Sequence, residues 1–92
     1  MKMRYVIVEV VRENGDVVQL PILFSHAFSN EQATQFVSAA TSLAKVPTGK
    51  PISAGTVELW DRRVACSGFD ETFGVGSRGR HDEILIESAE HL

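Results

Sequence analysis

Asn14-Gly15 stands between two runs rich in Val, Ile and Leu, Lys2 to Arg12 and Asp16 to Phe24, and this pairing limits the fold more than any other local feature of the chain. Asn and Gly adopt positive φ most readily, and a tight turn between two twisted strands needs that conformation. The spacing predicts a β-hairpin. Taken as a two-residue turn, it sets Val11 opposite Val18, Ile7 opposite Ile22 and Tyr5 opposite Phe24, with Leu20 on the same core-facing side. The other face carries Val6, Val8, Val10 and Leu23, so the hairpin is apolar on both faces. Pro21 has no backbone donor, which puts its strand at a sheet edge or at a bulge.

Ser29-Asn30-Glu31-Gln32 has the spacing of a capping box, in which the Ser hydroxyl and the Gln side chain satisfy the open backbone donors of a helix start. Ala33, Phe36, Val37, Ala40, Leu43 and Ala44 then recur at helical spacing, predicting a helix to about Lys45. Val46-Pro47-Thr48-Gly49-Lys50-Pro51 carries helix breakers and reads as a connecting loop. Thr56 to Trp60 and Arg63 to Phe69 form a second predicted hairpin turning near Asp61-Arg62. A Gly-rich loop follows from Asp70 to His81, and Glu83 to Glu87 alternates as a last strand, Ile84 and Ile86 pointing one way and Leu85 the other. The expected fold is α+β, an antiparallel sheet of about five strands with one helix, in the order β-β-α-β-β-β. A single helix covers only one face of a sheet, so the second apolar face must be covered by the C-terminal strands or by another chain.

The 92 residues fit one domain, 1–92, with a small core. The longest apolar runs fall far short of the roughly 20 residues of a membrane span, and no leader pattern opens the chain. Cys66 is the single cysteine and agrees with a reducing, cytoplasmic setting. A formal net charge of −3 argues against a protein that coats DNA by bulk electrostatics. Within it, Arg62, Arg63, Arg78 and Arg80 gather in one stretch, while the residues after His81 are acidic.

Chemistry is hard to find. Gly74-Val75-Gly76-Ser77-Arg78-Gly79 matches G-x-G-x-x-G, but the dinucleotide fingerprint needs a helix after it, and here a strand is expected. His26, His81 and His91 lack zinc-ligand spacing. Cys66 alternates with Val64 on the apolar side of its strand, where a thiol is ordinarily inert; a nucleophile would need a histidine brought to it by folding. No catalytic residue, metal or cofactor is expected. What remains is contact chemistry. Arg78 and Arg80 sit in a glycine-rich loop suited to phosphate or carboxylate oxygens, and Arg62 and Arg63 join them if the turn lies beside that loop. Trp60 points away from Val57 and Leu59, which places an indole beside arginines, as at interface anchors. A second contact face is Thr34, Gln35, Ser38, Thr41 and Ser42 on the predicted helix, where a partner would desolvate little charge.

In size, acidity and element order, and in the stretch from Arg63-Val64-Ala65-Cys66-Ser67-Gly68 through Gly76-Ser77-Arg78-Gly79-Arg80, the chain resembles the small phage-encoded anti-CRISPR proteins that inhibit type I-F surveillance complexes. The resemblance implies a non-enzymatic inhibitor in the host cytoplasm that binds Cas subunits or guide RNA and blocks target DNA recognition. The residues themselves support a protein that occupies the surface of a protein or ribonucleoprotein complex through Trp60, Arg62, Arg63, Arg78 and Arg80. The alternatives are a homodimeric accessory protein joined through Val6, Val8, Val10 and Leu23, and an enzyme with a Cys66 nucleophile.

Overall fold

The structure, a computed structural model, describes residues 1–43 and 49–90. It is an α+β fold, with a four-stranded antiparallel sheet, a two-stranded one and two helices among the described residues. Its elements are β1 (Lys2–Val11), β2 (Val17–Ser25), α1 (Asn30–Leu43), β3 (Lys50–Trp60), β4 (Arg63–Ser67), β5 (Phe69–Asp70), β6 (Val75–Gly76) and α2 (Arg80–Glu90). The main sheet runs β2-β1-β3-β4, and β5 pairs with β6.

The first hairpin forms, but one residue out of the two-residue register: Val11 pairs with Val17, Ile7 with Pro21 and Tyr5 with Leu23. The turn is the reason. Arg12 N donates to Asp16 O at 2.8 Å and Gly15 N to Arg12 O at 2.9 Å, with Gly15 at φ 88°, so three residues form the loop. Asn14 acts through its side chain, its Oδ1 accepting from Asp16 N at 3.0 Å. A one-residue shift exchanges partners across faces. Val6, Val8 and Val10 therefore share a face with Ile22 and Phe24, and Tyr5 and Ile7 share the other with Leu23.

The edge position expected from Pro21 is borne out, since β2 is the outermost strand. β3 begins earlier than expected, at Lys50, and its Pro51 lies where the β1 register skips from Ser53 to Pro51, an irregularity that tolerates a missing donor. The rest of the expected loop from Val46 to Thr48, and the helix end at Lys45, lie outside the described residues. Gly55 in β3 has no room for a side chain, because a Cβ there would lie 2.3 Å from Ser67 O, where β4 leaves the sheet.

α1 starts as its capping box predicts: Ser29 N donates to Gln32 Oε1 at 2.8 Å and Gln32 N to Ser29 Oγ at 3.1 Å. Its Ala33 and Val37 pack on Val6, Val8, Val10, Ile22, Phe24 and Ala54. The last strand is overturned: Glu83 to Glu87 lies within α2, making the element order β-β-α-β-β-β-β-α. Helical spacing puts Asp82, Leu85 and Ile86 on the sheet side and leaves Ile84 51% exposed, so the apparent alternation misled. Asp82 and Glu83 in the first turn favour a helix N-terminus, where the dipole attracts negative charge. Ile86 packs on Tyr5, Ile7, Val57, Val64 and Cys66. The second apolar face is thus covered from within, by a helix. Val6, Val8 and Val10 are buried under α1 and Leu23 belongs to the opposite cluster, so the four form no open face for a homodimer. No described helix is long and apolar enough to cross a membrane.

Candidate functional site

The five expected contact residues divide into two groups. Trp60 and Arg63 are the cross-strand pair that closes the β3–β4 hairpin, with Asp61 and Arg62 as its two turn residues. Both have positive φ, 38° and 68°, the conformation of a two-residue turn that ordinarily takes Asn-Gly. An L-residue with a Cβ pays about 1–2 kcal/mol to adopt it. Trp60 is 44% exposed, while Val57 on the opposite face is buried, as the alternation predicts. Arg62 and Arg63 are exposed and, among the described residues, form no ion pair.

Arg78 is not part of this tip. Its Nε donates to Asp82 Oδ1 at 2.8 Å and contacts Ser53 Oγ at 3.2 Å, and its terminal nitrogen reaches Gln19 Oε1 at 3.1 Å. Arg80 lies along α2 within 3.4 Å of Glu83 and of Glu87. Arg78, in the loop that feeds α2, is engaged by the buried Asp82, while Arg80, the first residue of α2, keeps a largely exposed side chain beside Glu83 and Glu87. The glycine motif is likewise corrected, because a helix follows it, not a strand. That helix start is already filled, since Arg78 N donates to Asp82 Oδ2 at 2.9 Å and Gly79 N to Ser77 Oγ at 2.9 Å. A phosphate would have to displace the chain's own carboxylate.

Asp82 has no exposed surface. Tyr5 donates its hydroxyl proton to Asp82 Oδ2 at 2.5 Å, and Ser53 Oγ donates to Oδ1 at 2.9 Å. Tyr5 has one proton, so its second contact, 2.7 Å from Ser77 Oγ, leaves Ser77 as donor. Burial alone would raise the Asp82 pKa, but the hydrogen bonds from Tyr5, Arg78 and Ser53 outweigh it and hold the carboxyl below its ordinary value. Burial, reinforced by the Asp82 bond, raises the Tyr5 hydroxyl. The Cys66 thiol is buried and pushed up to about 12, first by burial and then by the Asp82, Glu83 and Glu87 charges. Such a thiol is protonated at neutral pH, the opposite of an activated nucleophile.

The sheet face around the tip is open. Lys2 pairs with Glu58, Glu58 with Ala65 and Trp60 with Arg63, and all project on the α1 side, where α1 itself covers only the Val6 to Val10 end. Past Thr56 this face runs into a cleft of about 240 Å³ lined by Arg4, His26, Asn30, Thr56 and Phe69 among others. Phe69, 63% exposed, stands at its rim. Arg4 brings no free charge to the cleft: it grips Asp70 with contacts of 2.9–3.1 Å, donates to Phe28 O at 3.0 Å and sits 4.8 Å from the Phe24 ring centre. Lys2 comes beside the tip only through the β1–β3 pairing, and Phe69, paired with Gly76 of β6, reaches this face only through the fold, so neither was evident from the sequence.

On α1, Thr34, Gln35, Ser38 and Ser42 are exposed and Thr41 is half-buried, an open polar face as expected. The Thr34 and Thr41 hydroxyls bond back to Asn30 O and Val37 O, which leaves them less free for a partner. His26 and His81 are exposed, and His91 lies outside the described residues. Among the described residues no three His, Cys, Asp or Glu side chains are placed to hold a metal ion. Comparison with known proteins gives no match to a family model, a curated protein or a solved structure.

Proposed function

We propose that this chain is a non-enzymatic binding protein that blocks a macromolecular complex by occupying its surface, with the β3–β4 tip as its contact element. One observation carries the reading. Trp60, Arg62 and Arg63 stand exposed together on a turn whose two central residues both adopt positive φ without being glycine. Strain of this kind persists where side-chain identity matters more than stability. Trp and Arg are also the residues that most often carry binding energy, since they combine large contact area with directional donors.

The partner is a protein surface. Three side-chain cations, Lys2, Arg62 and Arg63, and the N-terminal amine at Leu59 O stand among two carboxylates, Glu58 and Asp61, so the patch is only two charges positive on a chain of net charge −3. Phosphate-backbone binding rests on neutralising many phosphates at once and gains little from so mixed a patch. A protein presenting its own alternating charges gains both affinity and register. Phe69 extends the contact as a second aromatic anchor across the open sheet face. Arg78, bound to Asp82 from the loop before α2, and Arg80, on α2 beside Glu83 and Glu87, lie apart from this tip.

The resemblance to phage inhibitors makes a Cas subunit of a type I-F surveillance complex the first partner to try. Trp60 is the single tryptophan, so its emission reports contact directly. Titrating the purified complex into the natural chain is expected to shift that emission saturably, and the double variant Arg62→Glu, Arg63→Glu to weaken binding at least tenfold with folding stability changed by less than about 0.5 kcal/mol. Equal affinity of the double variant rejects the tip as the contact element, and the absence of any shift rejects this partner.

A further inference from the structure

Strand pairing alternates, so each residue of an edge strand turns its backbone groups either into the sheet or outward. In β4, Arg63, Ala65 and Ser67 face Trp60, Glu58 and Thr56, while Leu59 exchanges hydrogen bonds with Met1 on the far side of β3, at 2.8 and 2.7 Å. Val64 and Cys66 therefore turn their N–H and C=O groups outward, along the free edge of the sheet. The Cys66 N–H is taken by a side chain of α2, donating to Glu83 Oε2 at 3.0 Å. Glu83 is held in place by Arg80 at 3.4 Å, and its side chain is only 17% exposed. Among the described residues, no protein group meets Val64 N.

We infer that β4 is a latent pairing edge for a second copy of this chain, kept closed by the Glu83 carboxylate. Antiparallel pairing about a two-fold axis at Ala65 puts Val64 opposite Cys66 of the second copy and Cys66 opposite its Val64. Val64 N would then donate to the second copy's Cys66 O, and Cys66 N to its Val64 O. The register is self-complementary: Val64 meets Cys66 on the α2 side, while Ala65 meets Ala65 and Arg63 meets Ser67 on the other. Glu83 prevents it in two ways. It occupies the Cys66 donor that pairing needs, and it would bring two carboxylates together at the new junction. The other edge is blunted independently, because Pro21 leaves a missing donor in the middle of β2. The paired form would be a continuous sheet with the two hairpin tips at opposite ends, so this edge and the tip are tested separately.

The test compares the natural chain with Glu83→Ala, Glu83→Asp and Glu83→Gln by light scattering and residue-resolved hydrogen exchange across a concentration series. The Asp variant keeps a charge in the first turn of α2 but falls short of Cys66 N, so it serves if Ala disturbs folding. The Gln variant keeps an accepting oxygen. The natural chain and the Gln variant are expected to protect the Cys66 amide and leave the Val64 amide fast at every concentration. The Ala and Asp variants are expected to lose Cys66 protection when dilute. On concentration their mass should double, with Val64 and Cys66 both protected at least tenfold. Folded Ala and Asp variants that stay at the mass of one chain, or associate with Val64 unprotected, overturn the inference. So does a natural chain whose Val64 amide becomes protected as concentration rises.

Discussion

Asp82 keeps its charge without any exposed surface because four hydrogen bonds converge on it, from Tyr5, Ser53 and both the backbone and side chain of Arg78. A buried charge is stable only while so paired, and removing one partner strands the other. Asp82→Ala, which leaves Arg78 and Ser53 without their acceptor, is expected to cost about 3 kcal/mol or more in denaturant unfolding. Tyr5→Phe, which deletes one donor and keeps the ring, is expected to cost about 1–3 kcal/mol. The signs of the pKa shifts fix the pH profile. Asp82 is lowered, so its contribution is full above its ordinary value of 3.8 and is lost as pH falls through the still lower folded value. Cys66 is raised, so its contribution is full below its ordinary value of 9.0 and is lost as pH climbs toward about 12; Tyr5 adds a loss that begins above 10.0. A plateau of stability between about pH 4 and 9, falling on both sides, is expected from thermal melts. Tyr5→Phe should soften the alkaline fall, and an unchanged alkaline limb would show that Tyr5 is not strongly perturbed. None of this was legible in sequence, because Tyr5, Ser53 and Asp82 lie on three elements and only folding brings them together.

At the scale of elements, the misread one teaches most. The capping box of α1 and the Asn14-Gly15 hairpin were legible because their signals are local: a hydroxyl and an amide three residues apart, a glycine with positive φ. α2 was not, because its sheet-facing stripe contains Asp82, and a stripe that includes a buried acid does not read as amphipathic. The register of the first hairpin escaped for a related reason. Asn-Gly specifies a turn but does not by itself distinguish a loop of two residues from one of three. The β3–β4 turn gives a prediction of its own. Arg62→Gly relieves the positive-φ cost, so it is expected to raise stability by about 1 kcal/mol, measured as a higher denaturant midpoint at unchanged slope. The same variant should bind its partner less well. A variant that is no more stable than the natural chain would mean that the turn is not strained.

For the whole molecule, each face of one small sheet carries a helix of its own, α2 on one and α1 over part of the other, which leaves the hairpin tip and the bare part of the α1-side face as surfaces for another molecule. Half of the proposed contact was legible. Trp60, Arg62 and Arg63 are neighbours in sequence and stayed together, whereas Arg78 and Arg80 were grouped with them by proximity along the chain and instead meet the acids of α2, Arg78 from the preceding loop and Arg80 from the helix itself. Phe69 could not be placed because its partner strand, β6, is two residues long and carries no signal. The most direct measurement is parallel capture from an extract of the source cell, with and without ribonuclease, using the natural chain and the variant Trp60→Ala, Arg62→Glu, Arg63→Glu as baits of equal foldedness. The natural chain is predicted to retain a defined protein complex in stoichiometric amount, with recovery by the tip variant at least tenfold lower. Equal recovery by both baits, or recovery that vanishes once RNA is digested, would contradict a protein partner held at the tip.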